Sequence, residues 1–252
     1  MTHVPLAGPA DPRTDAPALR VLIADDDAAS RRFLLDAVRA LGAAGVDCVD
    51  GSAALSLARK ESFDLLLLDC RMPRAGASEV LAALRADSLV ASRDAVAIAT
   101  TAELDPAQLP QLLAGGFTDV LIKPCRIDDL RRLMALVPAY LRRLPLLDDD
   151  AALLASGDST TMRALRQLLQ QELLTLCGEL DELARDGAAL RDRLHRLRSS
   201  CGFCGATALS GHVMALQQLL GTHPQQAAGA VQRFHGALLD TLRALDPSPQ
   251  AA

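Results

Sequence analysis

The sequence predicts an α/β domain built on a doubly wound, five-stranded parallel sheet, followed by an all-α domain that forms an antiparallel four-helix bundle. In the first half, short apolar runs alternate with amphipathic segments of helical period. Several of these runs, such as Leu65 to Leu68, are apolar at every position, which is typical of strands buried on both faces. Beyond residue 145 no strand pattern follows, and glycines and a proline separate long amphipathic segments.

The first half is predicted to contain five strands that alternate with five helices. The strands are expected at 21–24, 46–49, 65–68, 96–99 and 120–122. The first helix is expected to bury one face and to end at Gly42, and that face carries Phe33, Leu34, Ala37, Val38 and Leu41. The other helices are expected at about 52–60, 79–86, 106–114 and 127–143. Parallel strands need crossover connections, so this alternation implies helices on both faces of the sheet.

The second half is predicted to contain helices only. They are expected at about 159–185, 188–203, 206–220 and 224–245, and the first is capped at Asp158 or Ser159. The predicted organisation is a disordered leader (1–18), an α/β domain (19–143), a linker (144–150), the bundle (151–246) and a disordered tail (247–252). The leader is rich in Pro and Ala, and it lacks the basic and apolar regions of a signal peptide.

Composition argues against two classes of partner. The chain has 252 residues, a formal net charge of -5 and no basic block, which disfavours nucleic-acid binding. No apolar run approaches the roughly 20 residues that span a bilayer, so no membrane insertion and a cytoplasmic location are expected. The six cysteines are expected to be reduced. Cys201 and Cys204 have the CxxC spacing, but no second pair completes a zinc site.

Polar side chains stand where the predicted strands end. Asp69 follows the Leu65 to Leu68 run directly. An aspartate at this position can simply start a turn, but the carboxyl ends of buried strands are also where open α/β sheets bind ligands. The ends of the other strands carry Asp25, Asp26, Thr101 and Lys123. Their joint occurrence at one edge of the sheet favours a functional site.

This set of side chains has the chemistry of phosphoryl transfer. Clustered carboxylates repel one another unless a hard cation joins them, and Mg²⁺ prefers oxygen ligands. Asp69 can then attack phosphorus, while the cation, Lys123 and Thr101 each take one phosphoryl oxygen. The chain has 24 Arg and only two Lys, so a lysine at position 123 indicates a need for a compact point charge.

Residues 19–143 resemble the receiver domain of two-component response regulators. The resemblance lies in VLIADDD, DLLLLDCRMP, AIATTA and GFTDVLIKP, in this order and spacing. It implies a flavodoxin-like sheet and makes Asp69 the phospho-acceptor. It also implies that Mg²⁺ is bound by Asp26, Asp69 and the main-chain carbonyl of Arg71, with Asp25 acting through water.

The same resemblance implies that Thr101 and Lys123 form a switch pair around the phosphoryl group. The sequence departs from the family pattern at two positions. Val120 stands where an aromatic residue is usual, and Ala77 stands where a glycine is usual. Phosphorylation chemistry is expected to survive both changes.

The second predicted helix of the bundle presents a histidine to solvent. His195 lies about 100° round the helix from an apolar stripe. That stripe consists of Leu190, Leu194, Leu197 and Cys201. Arg191, Arg198 and Ser199 share the face of His195. Neighbouring cations favour a neutral, nucleophilic imidazole and can hold phosphoryl oxygens. The pattern alone also fits a surface histidine in a basic helix.

Residues 146–246 resemble a histidine-containing phosphotransfer (HPt) domain. His195-Arg-Leu-Arg-Ser-Ser corresponds to the HxLKGS motif of that family, with Arg for Lys and Ser for Gly, and Gly205-Ala206 follows at the usual interval. The resemblance implies that His195 is the phosphohistidine and that Arg198 and Ser199 support it.

The leading hypothesis is a phosphorelay protein whose partners are a hybrid sensor histidine kinase, another receiver domain, or both. It carries no ATP-binding kinase pattern. A second hypothesis is an adaptor gated by phosphorylation of Asp69, in which His195 transfers nothing. A third is a transcription regulator that binds DNA through the arginines around His195. Against the third, residues 146–252 carry 12 acidic and 9 basic side chains, and long bundle helices fit a helix-turn-helix poorly.

Overall fold

Five parallel strands form the sheet of the first domain, as the sequence predicts. In the computed structural model, which describes residues 18–246, the strands are β1 (Arg20–Ala24), β2 (Ala44–Cys48), β3 (Leu65–Asp69), β4 (Val96–Thr101) and β5 (Asp119–Ile122). Their order is β2-β1-β3-β4-β5, and all pairings are parallel. The predicted leader (1–18) and tail (247–252) lie outside the described residues, except for Ala18.

The central strand β3 explains the run of four leucines. It pairs with β1 on one side and with β4 on the other. Leu65 and Leu67 pack into one core, and Leu66 and Leu68 pack into the core on the opposite face. All four side chains are buried, because helices cover both faces of the sheet.

Six helices belong to the α/β part of the chain. They are α1 (Ala28–Ala40), α2 (Gly51–Lys60), α3 (Ala77–Ala86), α4 (Gln108–Ala114), α5 (Ile127–Met134) and α6 (Pro138–Leu141). The prediction of one helix over 127–143 was wrong. Pro138 lacks an N–H and its ring clashes with the preceding turn, so the chain breaks and restarts with Pro138 as the first residue of α6. Phe33, predicted to be on the buried face of α1, is 43% exposed.

The second half is helical. Its helices are α7 (Asp149–Ser156), α8 (Ser159–Leu183), α9 (Gly187–Cys204), α10 (Thr207–Thr222) and α11 (Ala227–Leu245), with a short 3₁₀ turn at Pro224–Gln226. The sequence predicted the four long helices and missed α7. The signal for α7 was present, since the side chain of Asp148 accepts the N–H of Ala151 as an N-cap. Among the described helices, none is long and apolar enough to cross a membrane.

The bundle rests on the α/β domain through α10. This helix contacts α5 and α6, and Ala215 packs into the core formed by the sheet, α1 and α5. Two polar contacts reinforce the packing. The Nε2 of Gln218 donates to Oδ2 of Asp119 at 2.5 Å, and the Nε2 of His223 lies 3.2 Å from the carbonyl oxygen of Thr118. The sequence predicted neither contact, although His223 is expected from the sequence to be structural or exposed.

Candidate functional site

Three carboxylates meet at the carboxyl ends of β1 and β3. Asp25 and Asp26 follow β1, and Asp69 is the last residue of β3. Each offers an oxygen atom that lies within 4.8 Å of the other two. The chain leaves β1 for β2 on one side and returns to β3 on the other, so the cluster occupies the topological switch point of the sheet. Asp25 and Asp69 are buried, whereas Asp26 is exposed.

The ammonium of Lys123 joins two of these carboxylates. Lys123 follows β5, and its Nζ lies 2.8 Å from Oδ2 of Asp69 and 3.0 Å from Oδ2 of Asp25. Burial lowers the pKa of Lys123, but the hydrogen bonds to Asp69 and Asp25 outweigh that effect, so its pKa lies above the ordinary value. Lys123 therefore stays charged and offsets the repulsion between the two acids.

Asp25 is held by the first turn of α1. The hydroxyl of Ser30 donates to Oδ2 of Asp25 at 2.5 Å, and the N–H of Asp27 donates to Oδ1 at 3.0 Å. Asp27 in turn caps α1 by accepting the N–H of Ser30 at 2.7 Å. Sequence reasoning missed Ser30, although its place three residues after an N-cap aspartate puts it in the first turn, beside the end of β1.

Thr101 is the last residue of β4, the strand that pairs with β3. Its side chain is buried, and its hydroxyl donates to the carbonyl oxygen of Glu103 at 2.7 Å. The N–H of Glu103 donates a hydrogen bond to the same hydroxyl at 3.3 Å. The hydroxyl thus has a main-chain partner in the loop after β4.

The loop after β3 is anchored to the start of α2. The N–H of Arg71 donates to Oδ1 of Asp69 at 3.3 Å, and Arg74 has a positive φ of 69°. The guanidinium of Arg74 forms an ion pair with Asp50, the buried N-cap residue of α2. That ion pair holds the pKa of Asp50 below its ordinary value, the hydrogen bond from Arg74 being the main cause. A Cβ on Gly51 would lie 2.1 Å from the carbonyl oxygen of Ala75, so loop and helix are in direct contact.

The carboxylate cluster fits a magnesium ion. All three side chains offer the hard oxygen ligands that Mg²⁺ prefers. Their atoms are close enough for one ion to join them, and the exposed Asp26 leaves one side open for the waters that Mg²⁺ retains. Arg71 follows Asp69 by two residues, which places its main-chain carbonyl in the adjoining loop.

The predicted histidine is presented on the surface of α9. Leu190, Leu194, Leu197 and Cys201 are buried, as the apolar stripe predicts. His195, Arg198 and Ser199 are exposed. Arg191 is also exposed, and its Nη2 donates to the carbonyl oxygen of Leu220 at 3.0 Å. Within the described residues, no hydrogen bond or ion pair links His195 to the carboxylate cluster.

The cysteines take no part in either centre. All six are free thiols, and Cys201 and Cys204 are buried in the core of the bundle. Burial raises the pKa of both thiols. Sulfur chemistry at this CxxC pair is therefore disfavoured, since the thiolate is the reactive form.

Two domain families match the chain. Residues 21–135 match the response regulator receiver domain, and residues 159–246 match the Hpt domain. The chain contains a receiver domain followed by an Hpt domain. These matches cover the carboxylate cluster in the first case and His195 in the second.

Several known proteins are similar to the chain. The sensor histidine kinase AruS of Pseudomonas aeruginosa is 34% identical over 249 residues, which cover 94% of this chain and 24% of AruS. The virulence sensor protein BvgS of Bordetella pertussis is 28% identical over 234 residues, which cover 83% of this chain and 19% of BvgS. The chain thus spans about a quarter or less of these relatives.

Among solved structures, the receiver domain of sensor histidine kinase PA1611 from Pseudomonas aeruginosa is 25% identical, with a TM-score of 0.44. The match covers 48% of this chain and 98% of that domain, whose structure contains a magnesium ion in its active-site cleft.

Proposed function

We propose that the chain is a phosphorelay protein of a two-component system, in which Asp69 accepts a phosphoryl group and His195 carries one. The observation that carries this proposal is the contact of Lys123 with both Asp69 and Asp25 in a buried carboxylate cluster at the switch point of the sheet. The receiver extends over about 19–143 and the Hpt domain over about 151–246, with a linker between them.

Each residue of the receiver site has a separate role in phosphoryl transfer. A carboxylate oxygen of Asp69 attacks phosphorus in line with the departing imidazole nitrogen of a phosphohistidine. Lys123 already lies within hydrogen-bond distance of Asp69 and so pairs with one phosphoryl oxygen. Thr101 exchanges its bond to Glu103 for a second oxygen by rotation about χ1. Asp26, Asp69 and the main-chain carbonyl of Arg71 would hold Mg²⁺, with Asp25 acting through water, and the ion would supply positive charge for the third oxygen.

Residues of α9 expose His195 and support its phosphorylated form. His195 is open to solvent, so a partner receiver can reach its ring without displacing protein atoms. The guanidinium of Arg198, one turn further along the same face, binds phosphoryl oxygens of the phosphohistidine. Ser199 supplies a hydroxyl on that face. The partners are a hybrid sensor histidine kinase, another receiver domain, or both.

The proposal is tested by following a labelled phosphoryl group from a phosphorylated partner into the full chain. Asp69→Asn is expected to abolish the base-labile acyl phosphate, and His195→Gln the acid-labile phosphohistidine. Asp36→Asn and His235→Gln are the matched controls and should label like the wild type. Unchanged labelling in both site variants overturns the proposal. Labelling of Asp69 alone, with every available donor and acceptor, indicates the adaptor instead.

A further inference from the structure

The bundle contacts the receiver at the edge of the sheet that lies away from the carboxylate cluster. Asp119 is the first residue of β5, and the N–H of Thr118 pairs with the carbonyl of Ala97 near the start of β4. Asp119 accepts the hydrogen bond from Gln218, and the carbonyl oxygen of Thr118 contacts His223. Because β5 runs parallel to β3, its amino end and the carboxylate of Asp69 lie at opposite edges.

Apolar and main-chain contacts fix the bundle in this position. Leu136, just beyond α5, packs against the cores of both domains. A Cβ on Gly211 would lie 2.7 Å from Cδ2 of Leu141 and 2.8 Å from Cδ1 of Leu144, so α10 approaches the receiver closely. The linker is also bound, since the N–H of Ala208 donates to the carbonyl of Pro145 at 3.0 Å.

The mouth of the receiver, meaning the surface around Asp25, Asp26 and Asp69 at the carboxyl ends of the strands, remains open in this arrangement. Two cavities are lined by residues next to the cluster in sequence or in contact with it: Cys70 and Arg71 line the first, and Asp27 and Lys123 line the second. Within the described residues, both are lined by the receiver alone. The exposed ring of His195 has no polar partner in the described part of the receiver.

We propose that His195 exchanges a phosphoryl group with Asp69 of a second copy of the chain, and not with Asp69 of its own chain while the domains are docked. This inference rests on the proposed function. In-line transfer requires the imidazole to approach Asp69 from outside the carboxyl edge. The contacts of α10 hold the bundle at the amino edge, so another molecule must supply the second group.

The charges of the two surfaces fit such an encounter. The mouth of the receiver exposes Asp26 and Asp27, while Arg191 and Arg198 flank His195. Opposite charges favour docking of the α9 face of one copy on the receiver mouth of another. In the reaction, a lone pair on an imidazole nitrogen forms the N–P bond. The P–O bond to Asp69 breaks, its electron pair returns to the carboxylate, and the ring keeps the proton on its other nitrogen.

The test uses the full chain, Mg²⁺ and labelled acetyl phosphate as donor to the receiver. If transfer occurs between copies, a tenfold rise in chain concentration raises the initial rate of His195 labelling per chain about tenfold. In a mixture of the two variants, Asp69 of the His195→Gln chain should pass its label to His195 of the Asp69→Asn chain. The Asp69→Asn chain by itself should stay unlabelled. A rate independent of concentration, or no label in the mixture, overturns the inference. Failure of Asp69 to label at all would instead contradict the proposed function.

A second variant tests the role of docking. Gly211→Glu places a long charged side chain against Leu141 and Leu144 and should release the bundle. Its His195 labelling is expected to gain a component independent of concentration. Gly178→Glu is the matched control, since Gly178 lies on α8 with no atom within 4 Å of its Cβ position, and it should behave like the wild type. Purely concentration-dependent labelling in a folded Gly211→Glu chain would overturn the role of docking, because exchange within the chain would remain absent after the bundle is released.

Discussion

The ammonium of Lys123 lies 2.8 Å from Oδ2 of Asp69 and 3.0 Å from Oδ2 of Asp25, so one cation joins acids from the ends of two neighbouring strands. Both carboxylates are buried, and the ammonium offsets the repulsion between them. Lys123 therefore has a structural role as well as its proposed role in catalysis.

Lys123→Ala should lower the free energy of unfolding in the absence of Mg²⁺. Removing the cation leaves two buried carboxylates facing each other, which costs about 1–2 kcal/mol after allowance for the partial exposure of the ammonium. Added Mg²⁺ should restore much of the loss, because the ion replaces the missing charge. Urea unfolding with and without Mg²⁺ measures both effects. Lys60→Ala, at the other lysine of the chain, is the control and should change little.

Arg74→Ala should weaken Mg²⁺ binding. The ion pair between Arg74 and Asp50 anchors the loop that carries the carbonyl of Arg71, so its loss frees the loop on which one proposed ligand lies. Calorimetric titration with Mg²⁺ should show a several-fold higher dissociation constant, and Arg74→Lys should recover part of it. Arg59→Ala, at an exposed arginine of α2, is the control. Unchanged Mg²⁺ affinity in Arg74→Ala would exclude this anchoring role.

Asp119→Asn should stabilise the protein at neutral pH. Burial raises the pKa of Asp119, so between the unfolded and native pKa values the native state binds more protons than the unfolded state. The free energy of unfolding therefore falls as the pH rises through this window, and the penalty persists above it. The asparagine removes the penalty, and the amide of Gln218 can turn its oxygen toward the new NH₂ group.

Urea unfolding from pH 3 to pH 8 checks this prediction. The advantage of Asp119→Asn should be largest near neutral pH and should shrink below the unfolded pKa. Asp181→Asn, at an exposed residue of α8, should show no such trend. An Asp119→Asn variant that is less stable than the wild type at pH 7 would mean that the charged carboxylate contributes more through its partners than burial costs.

The sequence predicted the strands and the edge at which the polar residues meet, because apolar runs mark buried strands and parallel strands share a direction. Asp25, Asp69 and Lys123 follow such runs directly, and the structure brings them together. The break in the predicted helix over 127–143 could have been predicted from Pro138, because a proline inside a helix removes a hydrogen bond. The contact between Asp119 and Gln218 could not, because it joins residues 99 positions apart whose meeting depends on how two finished domains pack.

Gly205→Ala should destabilise the Hpt domain more than Gly157→Ala does. Both glycines have positive φ, 64° and 87°, so alanine costs about 1–2 kcal/mol of backbone strain at either position. At Gly205 a Cβ would also lie 2.1 Å from the carbonyl oxygen of Asp148, whereas at Gly157 no atom lies within 4 Å. The extra contact forces the start of α7 away from the end of α9 and weakens the hydrogen bond from the N–H of Asp148 to the carbonyl of Gly205. Thermal unfolding of the two variants measures the difference in stability. Equal losses of stability would mean that α7 can shift away from Gly205 without destabilising the domain.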